Sequence, residues 1–242
     1  MRRRFFVEQF EGDQARMVGG AAHHLGKVLR AQPGQLYELS DGQRIRLGKI
    51  ARVERDTIVF ELAGDIPANA TRLGITLLLA IVKFDRFEWA LEKATELGVE
   101  EIVPLIAERS EKALIVAAAK RVERWKTIAL ESAQQSRRLK APTVTAPAKT
   151  ADALRASRAA VKLVLSENNQ AQPLRSSLPE RADDSARLAI ALAIGPEGGW
   201  TERDLELARA SRFVEVSLGR NILRTETAVV AALAALNYAL GD

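Results

Sequence analysis

Residues 188–201 read Leu188-Ala189-Ile190-Ala191-Leu192-Ala193-Ile194-Gly195-Pro196-Glu197-Gly198-Gly199-Trp200-Thr201. The unbroken apolar run Leu188–Ile194 has the pattern of a strand buried on both faces of a parallel sheet. Thr201 then suits the N-cap of a helix over Thr201–Ala210, with Asp204 in its first turn. Strand, glycine loop and helix together are the repeating unit of an α/β domain. Open sheets of that class place ligands outside the carboxyl ends of their strands. Three glycines and a proline leave the loop's backbone N–H and C=O groups bare, so that a flat heterocycle or a ribose can approach closely. A tight turn without a ligand is the plainer alternative, but it does not call for an acid among the turn residues. Ile194, Gly195, Glu197, Gly198 and Gly199 are therefore candidate ligand contacts.

A second loop follows the same plan. Leu218-Gly219-Arg220-Asn221-Ile222-Leu223-Arg224-Thr225-Glu226-Thr227-Ala228 leads from a strand over Phe213–Leu218 to a helix over Thr225–Leu240. Thr225 can cap that helix, and Glu226 suits its positive end. Arg224 fits neither role, because the helix dipole disfavours a cation there. A ligand explains it better. Thr227–Leu240 carries no charge and is apolar almost all round, so it must be covered on more than one side, either within the subunit or by a second copy.

The alternation extends upstream to Gly74. Strands are expected at Ile75–Val82, Glu101–Ala107 and Lys162–Leu165, and helices at Phe84–Leu97 and Ala117–Leu139. Residues 1–70 read differently. They form a β-rich unit with strands at Gln35–Leu39, Arg44–Val53 and Thr57–Leu62, a helix near Ala21–Arg30, and an Asp41-Gly42 turn. A small barrel or curled sheet is the expectation there. Ala63–Leu73, with Gly64, Pro67 and Asn69, reads as the linker, giving domains over 1–70 and 74–242.

Composition removes many functions. The 242 residues are 47% hydrophobic and 28% charged, as in an ordinary globular protein. They include no cysteine and only His23 and His24 as histidines. Disulfides and thiolate metal sites have no material, a Ser-His-Asp triad has almost none, and no metal is expected. No apolar stretch is long enough to cross a bilayer. The start Met1-Arg2-Arg3-Arg4 lacks the apolar core of a signal peptide, so a cytoplasmic protein without membrane contact is expected. Neither a Gly-x-Gly-x-x-Gly fingerprint nor a phosphate loop is present. The net charge is +5. Seven basic residues between Lys120 and Lys140 stand against Glu123 and Glu131, a stripe that suits either a polyanion such as RNA or a solvated helix face. Trp89 and Trp125 fall on predicted helices and read as packing residues.

The two glycine loops resemble the cofactor loops of the SPOUT superfamily of methyltransferases. In detail they resemble the RsmE type, the small-subunit ribosomal RNA uridine-N3 methyltransferases. The resemblance also takes in Lys93-Ala94-Thr95-Glu96-Leu97-Gly98-Val99, Arg109-Ser110, Glu131-Ser132-Ala133-Gln134-Gln135-Ser136-Arg137-Arg138, and His24 through Val28-Leu29-Arg30. It implies a trefoil-knotted α/β methyltransferase domain behind a PUA-like β-barrel that binds RNA, and a homodimer. The cofactor implied is S-adenosylmethionine, held by Leu165 and Glu167, by Ile194, Gly195, Glu197, Gly198 and Gly199, and by Leu218, Gly219, Ile222, Leu223, Thr225, Thr227 and Ala228. Arg224 would act at the uracil, with Glu226 supporting its loop. Arg2, Arg3, Arg4, His24, Arg30, Arg109, Arg137 and Arg138 are the expected contacts to ribosomal RNA in the small subunit. Two rivals stand beside this reading: a non-catalytic RNA-binding or ribosome-assembly protein, and a different nucleotide-using α/β enzyme.

Overall fold

The computed structural model describes residues 3–68, 72–179 and 187–241, so Arg2 lies outside the described residues. The chain divides into two compact units, Met1–Ala70 with Ala133–Ala141, and Thr71–Ser132 with Pro142–Asp242.

The first unit holds six strands: β1 (Arg4–Phe6), β2 (Phe10–Glu11), β3 (Gln14–Val18), β4 (Leu36–Ser40), β5 (Ile45–Val53) and β6 (Thr57–Ile66). Their order is β1-β4-β5-β6-β3-β2. β1 runs parallel to β4 and the other neighbours are antiparallel. Phe5, Met17, Leu25, Leu39, Ile50 and Phe60 share one core. The Asp41 carboxylate accepts from the amides of Gln43 and Arg44 at 2.9 and 2.7 Å, closing the β4–β5 turn with Gly42 at φ +84°. Gly48 on β5 admits no side chain, since a Cβ there would stand 2.5 Å from Leu39. Helix α1 (Gly19–His23) passes into one turn of π-helix at His24–Val28. The expected linker is corrected by the pairing: Ile66 at the end of β6 faces Ile45, and a new strand already begins at Leu73.

Arg4 is also corrected. Its side chain is only 9% exposed and pairs with Glu38 at 2.9 Å, and it donates to the Arg137 carbonyl. A buried cation committed to a buried carboxylate has no charge left for a phosphate. Within the same unit the Ser40 hydroxyl donates to the Leu139 carbonyl at 2.5 Å, fastening the segment that follows the long helix.

The second unit is an eight-stranded sheet: β7 (Leu73–Ala80), β8 (Glu101–Ile106), β9 (Thr143–Val144), β10 (Ala148–Lys149), β11 (Val161–Leu165), β12 (Gln172–Pro173), β13 (Leu188–Ile194) and β14 (Val214–Ser217). The order is β10-β8-β7-β13-β11-β14-β12 with β9 beside β8, and all pairs are parallel. Both faces are covered, as such sheets require. On one side Ile75, Leu77 and Leu79 pack with α2 (Phe84–Glu96), α4 (Val122–Gln135) and α7 (Thr225–Leu240). On the other, Leu78, Ala191 and Ala193 pack with α5 (Thr150–Ala156) and α6 (Glu202–Ala210). The helix expected over Ala117–Leu139 is instead α3 (Lys112–Ala118), one 3-10 turn at Ala119–Arg121, and α4. Trp125 is fully buried against Phe87, whereas Trp89 is 44% exposed and does not pack as expected. Among the described residues, no helix is long and apolar enough to cross a membrane.

Candidate active site

Strands β13, β11 and β14 are neighbours, so the loops leaving their carboxyl ends converge. They enclose a cavity of about 220 Å³. Leu165, Ile194, Leu218, Ile222, Leu223 and Ala228 supply apolar walls, and Gly195, Gly199 and Gly219 supply bare backbone. Each loop is tied to another. The Trp200 indole N–H donates to the Leu165 carbonyl at 2.9 Å, joining the β13 and β11 loops. The Thr225 hydroxyl donates to the Gly195 carbonyl at 3.1 Å, joining the β14 and β13 loops. Thr225 is thus not the cap of α7, which begins after Arg224 with no side-chain cap. Thr201 does cap α6, in a reciprocal box with Asp204, and its hydroxyl also bonds Glu108 at 2.8 Å.

The glycines are not equivalent. A Cβ on Gly195 would stand 3.0 Å from the Trp200 ring, and Gly199 combines φ +70° with Glu167 Oε1 at 3.0 Å. At Gly198 a Cβ would meet only the flexible Arg109 side chain, at 3.4 Å. The close approach expected of this loop is therefore imposed at Gly195 and Gly199.

Of the expected contacts, Leu165, Glu167, Ile194, Gly195, Gly199, Leu218, Gly219, Ile222, Leu223, Thr225 and Ala228 line the cavity. Glu197, Gly198 and Thr227 do not. Ser166, Pro196 and Asn221, which fall within the same three loops, line it as well, and so do Asn168, Trp200 and Leu205, which the sequence did not single out as contacts. Trp200 was the most findable of these, since an indole directly after two glycines needs a partner for its N–H.

Five charged residues, Arg86, Arg109, Glu197, Arg224 and Glu226, stand around this wall. Arg109 Nη1 donates to the Gly198 carbonyl at 2.7 Å, so the expected RNA contact is placed as a hold on the glycine loop. Arg86 Nη1 lies 2.9 Å from Glu197 Oε1, and its Nε 4.0 Å from Glu226 Oε1. The other oxygen of Glu226 is buried and has no hydrogen-bond partner among the described residues. Arg224 is exposed and pairs with no carboxylate among the described residues, so the tie to Glu197 and Glu226 is made by Arg86 instead. Arg86 escaped the sequence reading although its signal was there: a cation in the first turn of α2, where the dipole opposes it. Further along α2, hydrogen bonds to Glu92 first and Glu96 next push the Lys93 ammonium above its ordinary pKa.

A wider cavity of about 600 Å³ adjoins the first and shares Glu167, Asn168, Leu218, Gly219, Asn221 and Ile222 with it. Its remaining rim includes Arg175, Arg220 and Tyr238, the last 96% exposed. In the first unit, Arg3, His24 and Arg30 are exposed, while Arg137 is half-buried and 3.8 Å from Glu38. Much of the basic stripe is locally compensated: Arg121 and Arg124 share Glu88, and Lys126 pairs with Glu123. Among the described residues, no three His, Asp or Glu side chains gather as metal ligands do.

The stretch that builds this all-parallel sheet and its loop-lined cavity is matched over residues 69–237 by the family model of the RNA methyltransferase domain. The ribosomal RNA small subunit methyltransferase E of Synechocystis is 33% identical over 225 residues, covering 90% of this chain and 71% of that protein. The Bacillus subtilis protein of the same name is 29% identical over 97% of this chain and 96% of its own. The crystal structure of the Neisseria gonorrhoeae protein of that name, bound to S-adenosyl methionine, superposes with a TM-score of 0.87 at 32% identity, covering 100% of this chain and 99% of that one. The chain belongs to the ribosomal RNA small subunit methyltransferase E family.

Proposed function

We propose that this protein methylates N3 of a uridine in small-subunit ribosomal RNA with S-adenosylmethionine as donor. The observation that carries the reading is the cavity at the ends of β11, β13 and β14. Its wall is bare backbone where side chains are sterically refused, as at Gly195 and Gly199. Such a wall fits a ribose and a flat adenine, which need close backbone approach and apolar contact. The backbone of Leu165–Glu167, Ile194–Gly199 and Leu218–Ala228 would hold the cofactor. When bound, S-adenosylmethionine supplies a methyl group on a positively charged sulfur.

The chain's own residues do the rest. N3 of uracil is protonated and a weak nucleophile at neutral pH, so the site must favour loss of that proton and stabilise the anion left behind. Arg224 is exposed beside Leu223 and Thr225, which line the cavity, and pairs with no carboxylate among the described residues, so its guanidinium is available to the uracil carbonyls. The adjoining cavity, with Asn221 at the shared edge and Arg175 and Arg220 on its rim, gives an extruded nucleotide room and cations for its phosphates. N3 lies on the pairing edge, so the nucleotide must be unpaired to react. Glu226, drawn toward Arg86, supports the loop from outside the cavity.

The first unit, a curled six-stranded sheet with Arg3, His24 and Arg30 exposed, supports the reading of a PUA-like RNA-binding domain over 1–70. The trefoil threading of the 74–242 domain and a cytoplasmic homodimer belong to the same reading. A thermal-shift panel tests it against its rivals. S-adenosylhomocysteine should stabilise the protein in a concentration-dependent way, while ATP and NAD should not. Stabilisation by ATP or NAD alone, or by none of the three, contradicts the proposal.

A further inference from the structure

We propose that Arg86 is a positioning residue that locks the 194–201 loop to the first turn of α7, so that the two walls of the cavity move as one. The inference rests on the reading of that cavity as a cofactor site and adds a residue that no part of the cavity contains. Arg86 is not among the residues that line the cavity; it reaches the glycine loop from the first turn of α2.

Among the described residues, side-chain bonds hold the 195–200 part of the glycine loop at four places. Gly195 accepts from Thr225, Gly198 accepts from Arg109, the Trp200 indole reaches Leu165, and the tip side chain, Glu197, reaches Arg86. Two of these four holds converge on the first turn of α7, one directly through Thr225 and one through Arg86 to Glu226. With Pro196 before it and two glycines after, the tip has no other long side chain with which to grip the protein.

The charges explain why an arginine is needed. Glu197 and Glu226 belong to different walls and both face the same point. A planar guanidinium presents several donors in a fixed fork and can serve two carboxylates at once, whereas a lysine offers a single point charge. Glu226 is the more buried partner, at 16% side-chain exposure, with one oxygen already unpartnered. Without Arg86, two carboxylates would face each other across the joint with no cation between them. The Arg86–Glu197 pair itself is partly exposed, at 31% and 39%, and such pairs add little to global stability. Placement of the loop, rather than stability of the fold, is the role left to it.

A double-mutant cycle of Arg86→Met and Glu197→Gln reads this directly, with Arg86→Lys as the conservative variant. Two quantities are followed: hydrogen exchange of the 197–201 amides in the ligand-free protein, and S-adenosylhomocysteine affinity by calorimetry. Arg86→Met should speed exchange at 197–201 and weaken affinity about tenfold or more, with the melting temperature nearly unchanged. The double variant should be no worse than Arg86→Met alone, and Arg86→Lys should recover part of the loss. Additive effects, or an Arg86→Met protein with wild-type loop exchange, overturn the proposal. A variant that changes only the salt dependence of RNA binding also overturns it, since Arg86 would then be a phosphate contact. Should the wild-type protein not bind S-adenosylhomocysteine, the cofactor reading fails, and the exchange cycle still decides the role of Arg86.

Discussion

Arg224 and Arg86 carry the same charge on neighbouring regions of one site, and their surroundings assign them different work. Arg86 faces two carboxylates and is committed to them. Arg224 has no partner among the described residues, although its position before α7 costs it the favour of the helix dipole. A charge kept unpaired at an unfavourable place is available to a substrate. Arg224→Ala should therefore lower the single-turnover methylation rate by roughly a hundredfold, with S-adenosylhomocysteine affinity little changed. A wild-type rate in that variant sinks the role. Some of this was readable from the sequence. Arg224 stands where the dipole of the helix it precedes disfavours a cation, whereas Glu226 suits the same helix end. The reach of Arg86 across to Glu197 could not be read, because a cation in the first turn of a helix stands out as unusual without naming a partner 111 positions away. Arg4 misled for the complementary reason: three consecutive arginines suggest a phosphate patch, and only the fold shows that Glu38 neutralises the third.

Among the elements, the two mostly apolar runs that begin after an arginine and end before a glycine were legible with their ends. β13 and α7 occupy Leu188–Ile194 and Thr225–Leu240, as the pattern predicts. Strands of two to five residues such as β1, β2 and β3 carry too little pattern; in β3 only Ala15 and Met17 turn inward. The helix ends differ in their chemistry. Both α2 and α6 finish with the chain turned into the left-handed region, closed by Val99 N–H to Ala94 and by Phe213 N–H to Ala208. α2 uses Gly98 at φ +90°, while α6 uses Arg212 at φ +65°. A side chain there costs about 1 kcal/mol relative to glycine. Arg212→Gly should therefore raise stability by about that amount in urea unfolding, and Gly98→Ala should lower it comparably. The glycine loop separates its members in the same way. Gly195→Val should drive the Trp200 ring from the Leu165 carbonyl and abolish S-adenosylhomocysteine binding while the strand and helix content stays intact. Gly198→Ala should cost little, because the added Cβ would make only an ordinary contact with Arg109, at 3.4 Å, and leave its bond to the Gly198 carbonyl in place. Equal binding by the two variants in calorimetry contradicts this account of the loop.

At the scale of the whole molecule, α7 answers the question of its own coverage in two halves. Val229, Ala232, Leu233 and Leu236 are buried within the chain, on the side shared with α2. Leu233 is thus a core residue, and Leu233→Glu should unfold the second unit rather than separate a pair of subunits. The opposite side keeps Thr227, Ala234 and Tyr238 exposed at helical spacing, an uncharged stripe ending in a tyrosine that is 96% open. A second copy of the chain is the proposed occupant. Sedimentation should find a dimer for the wild-type protein and a monomer for Ala234→Glu; an Ala234→Glu protein that remains fully dimeric removes α7 from the interface. The central claim concerns the chemistry, and one measurement addresses it. Small ribosomal subunits from cells lacking this protein are incubated with the purified chain and S-adenosylmethionine carrying a labelled methyl, and the ribosomal RNA is digested and mapped by mass. The account predicts one labelled uridine, gaining a single methyl at N3, and no label when Gly195→Val replaces the wild-type chain. Label on another base or another atom, or no transfer to any form of the RNA, contradicts it.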